Sequence, residues 1–170
     1  MIYVIAGHAR NGKDSTADII VKHTDNCIKL AYADYLKLYT KRFFGWDGET
    51  KNEYIRELWQ KLGTDIIRMK LNKPDFHVNR VIEDIEILSS FFDNFVIPDC
   101  RFPNECSLMR DAFGNKVKII KVVRDNFTNN LTEEQRNHPS ETALDNYIDF
   151  DHIIHAENLQ ELERKVLTFI

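Results

Sequence analysis

The segment Gly7-His8-Ala9-Arg10-Asn11-Gly12-Lys13-Asp14-Ser15 constrains this chain more than any other. An apolar run, Met1 to Ala6, precedes it, and a helix-like segment, Ser15 to His23, follows. A strand, a glycine-bounded loop and a helix, in that order, form a cradle for phosphate. Gly7 and Gly12 permit backbone angles and close approach that a Cβ would obstruct. The loop N–H groups can then turn inward around an anion, with the positive end of the helix dipole behind them. Lys13 adds a mobile cation for the outer phosphates, and Arg10, Asn11 and Thr16 complete the candidate donor-binding set. The spacing G-x-x-x-x-G-K is met, but Asp14 stands where a Ser or Thr ordinarily ligates Mg²⁺. Either Asp14 holds Mg²⁺, directly or through water, or Ser15 supplies the hydroxyl and Asp14 only favours the helix dipole. The bland alternative is a plain glycine turn. The position directly behind an apolar strand favours phosphate binding over it.

With 170 residues the chain suits one domain, 1–170, with a substantial core. Hydrophobic residues make up 43% and charged residues 29%, which fits a globular protein and not a disordered one. The net charge of −4 supplies no overall basic field, so a polynucleotide partner is disfavoured. Apolar runs are too short for a membrane span, and an opening strand stands where a leader would be. Cys27, Cys100 and Cys106 are odd in number and lack metal-ligand spacing, so reduced thiols in a cytoplasmic protein are expected. The six histidines show no third ligand at zinc spacing, so no zinc site is expected.

Strand and helix signals alternate, as for a parallel sheet with covering helices. Expected strands are Ile2 to Ala6, Cys27 to Ala31, Phe95 to Asp99, Lys116 to Val123 and Asp151 to His155. Expected helices are Ser15 to His23, Ala33 to Phe44, Lys51 to Leu71 with a bend at Gly63, Val78 to Phe92, Pro103 to Phe113 and Asn158 to Phe169. Arg124 to Pro139 reads as a polar mobile loop, and Ser140 to Tyr147 as one or two helical turns.

The second informative stretch is Asp99-Cys-Arg101-Phe-Pro-Asn-Glu105, behind the apolar Phe95-Val-Ile-Pro. Ligands of open α/β sheets bind at the carboxyl ends of the strands, so Asp99 and the first loop can converge. An acidic residue there is the usual second Mg²⁺ or water contact. Arg101 carries a planar fork suited to phosphate. Taken singly, Asp99 could equally cap a helix and Arg101 could equally form a surface ion pair. Together with the first loop they read as an active site.

These stretches, followed by His138-Pro-Ser140-Glu141, resemble the phage-type deoxynucleoside monophosphate kinases. Ala33-Asp34-Tyr-Leu-Lys37 and Arg56-Glu-Leu-Trp-Gln-Lys-Leu62-Gly63-Thr64-Asp65 add to the likeness. The pieces run in the family's order over most of the chain, and their combination is more specific than the first loop alone. Asp14 is normal in that family. The resemblance implies a P-loop NTPase fold: three layers, α/β/α, on a five-stranded parallel sheet, with a helical acceptor-binding insertion at about 33–93 and a lid at about 124–139. It implies transfer of the γ-phosphoryl of ATP to a deoxynucleoside monophosphate (dNMP), with Mg²⁺.

On that resemblance Lys13, Arg101 and Arg124 are the catalytic candidates. Gly7, Arg10, Asn11, Gly12, Lys13, Asp14, Ser15, Thr16 and Arg136 bind the donor. Asp34, Lys37, Arg56, Arg68, Asp99 and Arg101 serve the acceptor, with Trp59 assigned to the core. Asp14, Ser15 and Asp99 are the metal candidates. Arg124 and Arg136 are placed to close over the triphosphate and exclude water. Glu141 is placed to orient a lid arginine, with Ser140 as helix N-cap. The turn at Ala156-Glu157-Asn158 is placed against the adenine. A homodimer is plausible from the family. Two other readings stay open: another small-acceptor kinase of this fold, such as a dephospho-coenzyme A kinase, and a non-catalytic nucleotide-binding switch.

Overall fold

The computed structural model describes residues 1–50, 52–128 and 131–170. Position 51, the expected start of a helix, and positions 129 and 130 of the expected lid lie outside the described residues. Five strands form one sheet: β1 (Ile2–Ala6), β2 (Cys27–Lys29), β3 (Asn94–Cys100), β4 (Val117–Arg124) and β5 (His152–Ala156). Their order is β2-β3-β1-β4-β5 and every pairing is parallel. All carboxyl ends therefore lie along one edge. The order reverses beside β1, which is where open α/β sheets bind ligands.

Alternation along the strands sorts side chains to two faces. Ile2, Val4, Phe95, Ile97, Val117 and Ile119 point one way and meet Val78, Val81 and Ile85 of α4 (Phe76–Leu88) and Cys106 and Met109 of α5 (Pro103–Phe113). Tyr3, Ile5, Val96, Ile120 and Val122 point the other way and meet Ala17 and Ile20 of α1 (Lys13–His23) and Leu162 and Val166 of α8 (Leu159–Val166). The result is the α/β/α three-layer architecture that alternating strand and helix signals imply. Both sheet faces are covered, so β1 is buried at all five positions.

The insertion between β2 and β3 contains α2 (Asp34–Phe44), α3 (Glu53–Gln60) and α4. The bend expected at Gly63 is instead a change of winding: α3 runs on as a wider π-helical segment, Lys61–Lys70. The N–H of Leu71 reaches back five residues to the Ile66 carbonyl at 2.8 Å. Gly63 serves packing here, because a Cβ at that position would stand 2.9 Å from Leu36 Cδ1 of α2. The stretch expected as a polar mobile loop, Arg124 to Pro139, carries a short helix, α6 (Glu133–Asn137), and the helical turn expected from Ser140 onward is α7 (Pro139–Thr142). Thr132 caps α6, its Oγ1 accepting from the Gln135 N–H at 3.2 Å. Ser140 is not the N-cap of α7. Pro139 opens that helix, and the cap is His138, whose Nδ1 accepts from the Ser140 N–H at 3.2 Å.

Candidate active site

β1 ends beside β3, with Ala6 in register with Cys100. Gly7 and Arg101, one residue beyond each, are thereby neighbours. Gly7 has φ +143°, and a Cβ there would lie 2.4 Å from the Val122 carbonyl oxygen of β4, so no other residue fits. Gly12, at φ +94°, is the N-cap of α1 and has no side chain to offer. The first-turn N–H groups of Lys13, Asp14 and Ser15 therefore lack an intrahelical acceptor and face the loop. This is an anion seat made of main chain.

Lys13 is buried, with Nζ donating to the carbonyls of Gly7 and His8 at 2.8 Å each. Burial, reinforced by the Arg101 charge, lowers its pKa to about 7, with Glu141 and Asp14 pulling the other way. The ammonium thus rests on loop carbonyls. Thr16 does not face the cradle, because its Oγ1 donates to the Gly12 carbonyl at 2.9 Å. Asn11 Nδ2 ties the loop to β4 through the Val122 carbonyl at 3.4 Å.

Two cavities touch this loop, and a third adjoins one of them through Arg101 and Ser140. On one side a cavity of about 240 Å³ is lined by Arg10, Asn11, Gly12 and Ser15 of the loop, Arg124 at the tip of β4, and the turn Ala156-Glu157-Asn158. Of the residues expected against a donor nucleotide, Arg10, Asn11, Gly12 and Ser15 are thus brought together with Arg124, which is stacked 4.4 Å from the Phe127 ring. Arg136 lies elsewhere: it is exposed and its Nε donates to the Leu131 carbonyl of its own segment at 3.2 Å. Asp14 is also exposed, whereas Ser15 lines the cavity.

On the other side a cavity of about 130 Å³ is walled by Tyr32, Leu36, Trp59 and Phe102, with Gln60, Thr64, Arg68, His77, Asp99 and Arg101 among its polar lining. Trp59 combines packing with lining: its Nε1 donates to Thr40 Oγ1 at 2.9 Å and its ring meets Trp46 edge-on. Arg68 is clamped by an ion pair to Glu105 and by the Phe102 ring at 4.0 Å. Glu105 is fully buried and also accepts from the Arg101 and Phe102 N–H groups at 2.6 and 3.0 Å. Burial pushes its carboxyl up to about 7 against the pull of Arg68 and these amides. His77, a residue the sequence reading passed over, is 3% exposed. Neither of its ring nitrogens has a hydrogen-bond partner among the described residues. Burial first, and the Arg68 charge second, lower its pKa to about 4, so the ring is neutral at pH 7.

Asp99 has a firm structural task. Its Oδ1 accepts from the Tyr32 N–H at 2.9 Å and its Oδ2 from the Ala33 N–H at 3.0 Å, which anchors the start of α2 to the end of β3. Burial raises its pKa against these two amides. Asp34 and Lys37 pair with each other at 2.7 Å on the first turn of α2, and neither lines the Arg124 or the Trp59 cavity. Arg56 is half-buried and does not line them either.

The other cavity that touches the loop is small and is lined by Gly7, His8, Arg101, Ser140 and Glu141. Arg101 and Ser140 line both it and the Trp59 cavity. A guanidinium therefore stands where the loop and the second cavity meet. The arrangement suits movement of a charged group from one side to the other under cationic cover.

Among the described residues no helix is long and apolar enough to cross a membrane. No curated protein matches the chain. The model of the family described as deoxynucleotide monophosphate kinase matches residues 40–166. That match begins beyond the Gly7–Lys13 loop, so it stands apart from the loop geometry. By that match, which covers well over half of its length, the chain belongs to the deoxynucleotide monophosphate kinase family.

Proposed function

We propose that this kinase transfers the γ-phosphoryl of ATP to the 5′-phosphate of a dNMP, releasing ADP and the dNDP. The observation that carries the reading is the position of Arg101, which lines both the cavity beside Gly7 and His8 and the Trp59 cavity. Phosphoryl transfer needs little covalent help; it needs in-line positioning and cover for charge on the transferred group. The N–H groups of the α1 first turn and Lys13 hold the donor phosphates. Arg10 and Arg124 flank the donor nucleotide, with its base toward Glu157 and Asn158. The acceptor enters the second cavity, its base against Trp59 and Phe102 and its phosphate toward Arg101.

Lys13 leaves the Gly7 and His8 carbonyls for the phosphates, whose charge restores its full protonation. Mg²⁺ fits the residues present, since this ion is ordinarily held by few protein oxygens plus substrate phosphates. The Ser15 hydroxyl, on the donor cavity, is the ligand the geometry favours; Asp14 reaches it only through water. Asp99 spends its main strength on the Tyr32 and Ala33 amides and acts chiefly by fixing the acceptor wall. When bound, the metal neutralises charge on the donor oxygens. Arg136 acts only if the 131–137 segment swings inward. The whole chain, 1–170, works as one unit, with 33–93 as the acceptor lobe.

The test is ADP release with a panel of dTMP, dGMP, dCMP and 5-hydroxymethyl-dCMP. Turnover with at least one is expected. ATP binding without turnover on any of them would replace this reading by a nucleotide-binding switch.

A further inference from the structure

Glu141 is 9% exposed and its two oxygens face different halves of the site. Oε2 accepts from the Ala9 N–H of the phosphate loop at 2.9 Å. Oε1 accepts from Arg101 Nη1 at 2.5 Å, and the same Nη1 lies 3.4 Å from the Ser140 carbonyl. The residues joined are 132 and 40 positions away in the chain. The expectation that Glu141 orients a lid arginine is thus replaced by contact with the strand-tip arginine.

We infer that Glu141 is the positioning residue that locks Arg101 to the phosphate loop, so that donor cradle and acceptor guanidinium share one frame. This rests on the kinase reading above. A guanidinium on a flexible chain does not hold one direction by itself. Here one nitrogen is committed to a carboxylate, which leaves Nη2 and Nε of the planar fork for phosphate oxygens. The carboxylate in turn is fixed by a loop amide, so a shift of the loop is transmitted to Arg101. Charge works in the same direction. Arg101 and Lys13 repel each other, and Glu141 is the foremost group offsetting that repulsion on Lys13. A neutral amide at this position would lose the offset and present an N–H₂ to one of two donors.

The test compares Glu141→Gln, Glu141→Asp, Arg101→Ala and the Glu141→Gln/Arg101→Ala pair with the unaltered enzyme. Turnover, ATP binding by calorimetry and Tm are measured for each. For Glu141→Gln, kcat falls by about 10- to 100-fold, the worth of one charge-assisted hydrogen bond, while the Kd for ATP stays within about twofold. Glu141→Asp, which keeps the charge but is one methylene shorter, recovers part of the rate. The double variant is no slower than Arg101→Ala alone, because the two residues act as one unit. A Glu141→Gln enzyme at the original rate overturns the inference, as does a double variant in which the two losses multiply. Loss confined to Tm, with normal kcat per folded molecule in both Glu141 variants, also overturns it. If the unaltered enzyme turns over no dNMP, the kinase reading fails first and this inference falls with it.

Discussion

The donor cradle proposed above comes from one unbroken stretch, Gly7 to Ser15, and would bind mainly through main-chain N–H groups. The proposed acceptor cavity draws on α2, α3, the π-helical segment, α4, the end of β3, α5 and α7, and would bind through side chains. The first is specified by glycine conformations and a strand–helix junction. The second exists only after the inserted helices have packed on the sheet. A change in the cradle should therefore act on catalysis with little effect on stability. A change in the acceptor wall should act on both.

Arg68→Ala should separate the two halves most sharply. It leaves Glu105 buried without its ionic partner, at a cost of about 3–5 kcal/mol in folding stability. Urea denaturation measures this, and replacing Glu105 by Gln in the same chain should return part of it. A loss below about 1 kcal/mol would mean the acceptor wall is not held by this pair. Lys13→Ala is the converse. It should cost about 3–4 kcal/mol in kcat/KM with ATP and leave stability near the original, since it removes a buried cation whose pKa is already depressed. Equal kinetics would remove Lys13 from the donor side.

Asn158 joins the donor cavity to a helix, because its side chain accepts from the Glu161 N–H at 3.0 Å and caps α8. Asn158→Ala should lose about 1 kcal/mol of stability and raise the KM for ATP more than that for the dNMP. The smallest effect is a proton. Burial lowers the Lys13 pKa to about 7. Phosphate anions favour its charged form and raise that value, so on ATP binding near pH 7 Lys13 should take up about half a proton from solvent. The sign requires ATP affinity to fall as pH rises above 7. Calorimetry in buffers of different ionisation enthalpy reads the uptake, and proton release would contradict it.

The same contrast explains what could be read ahead of the structure. Gly7, Gly12 and Lys13 act through local conformation, which a motif records directly. The acidic and basic residues of Asp99-Cys-Arg101 stood out because they follow an apolar strand. Their partners did not: that Asp99 holds the Tyr32 and Ala33 amides follows from β2 lying next to β3, not next to β1. His77 sits within a helical apolar pattern and looks like one more core position. Arg56, Asp34 and Lys37 carry charges in a recognisable stretch, yet none of them lines the Arg124 or the Trp59 cavity.

By itself the sequence determined the alternation of strands and helices, the glycine-bounded loop between β1 and α1 and the membership of a kinase family. These depend on spacing within a few residues or on order along the chain. Only the tertiary structure decided which arginine faces the loop, which carboxylate holds it and what lines the acceptor cavity. Those contacts join residues far apart in the chain, 40 positions for Glu141 with Arg101 and 132 for Glu141 with Ala9. No local preference encodes such pairs; they form because burial of both sheet faces brings the strand tips and the inserted helices to one edge.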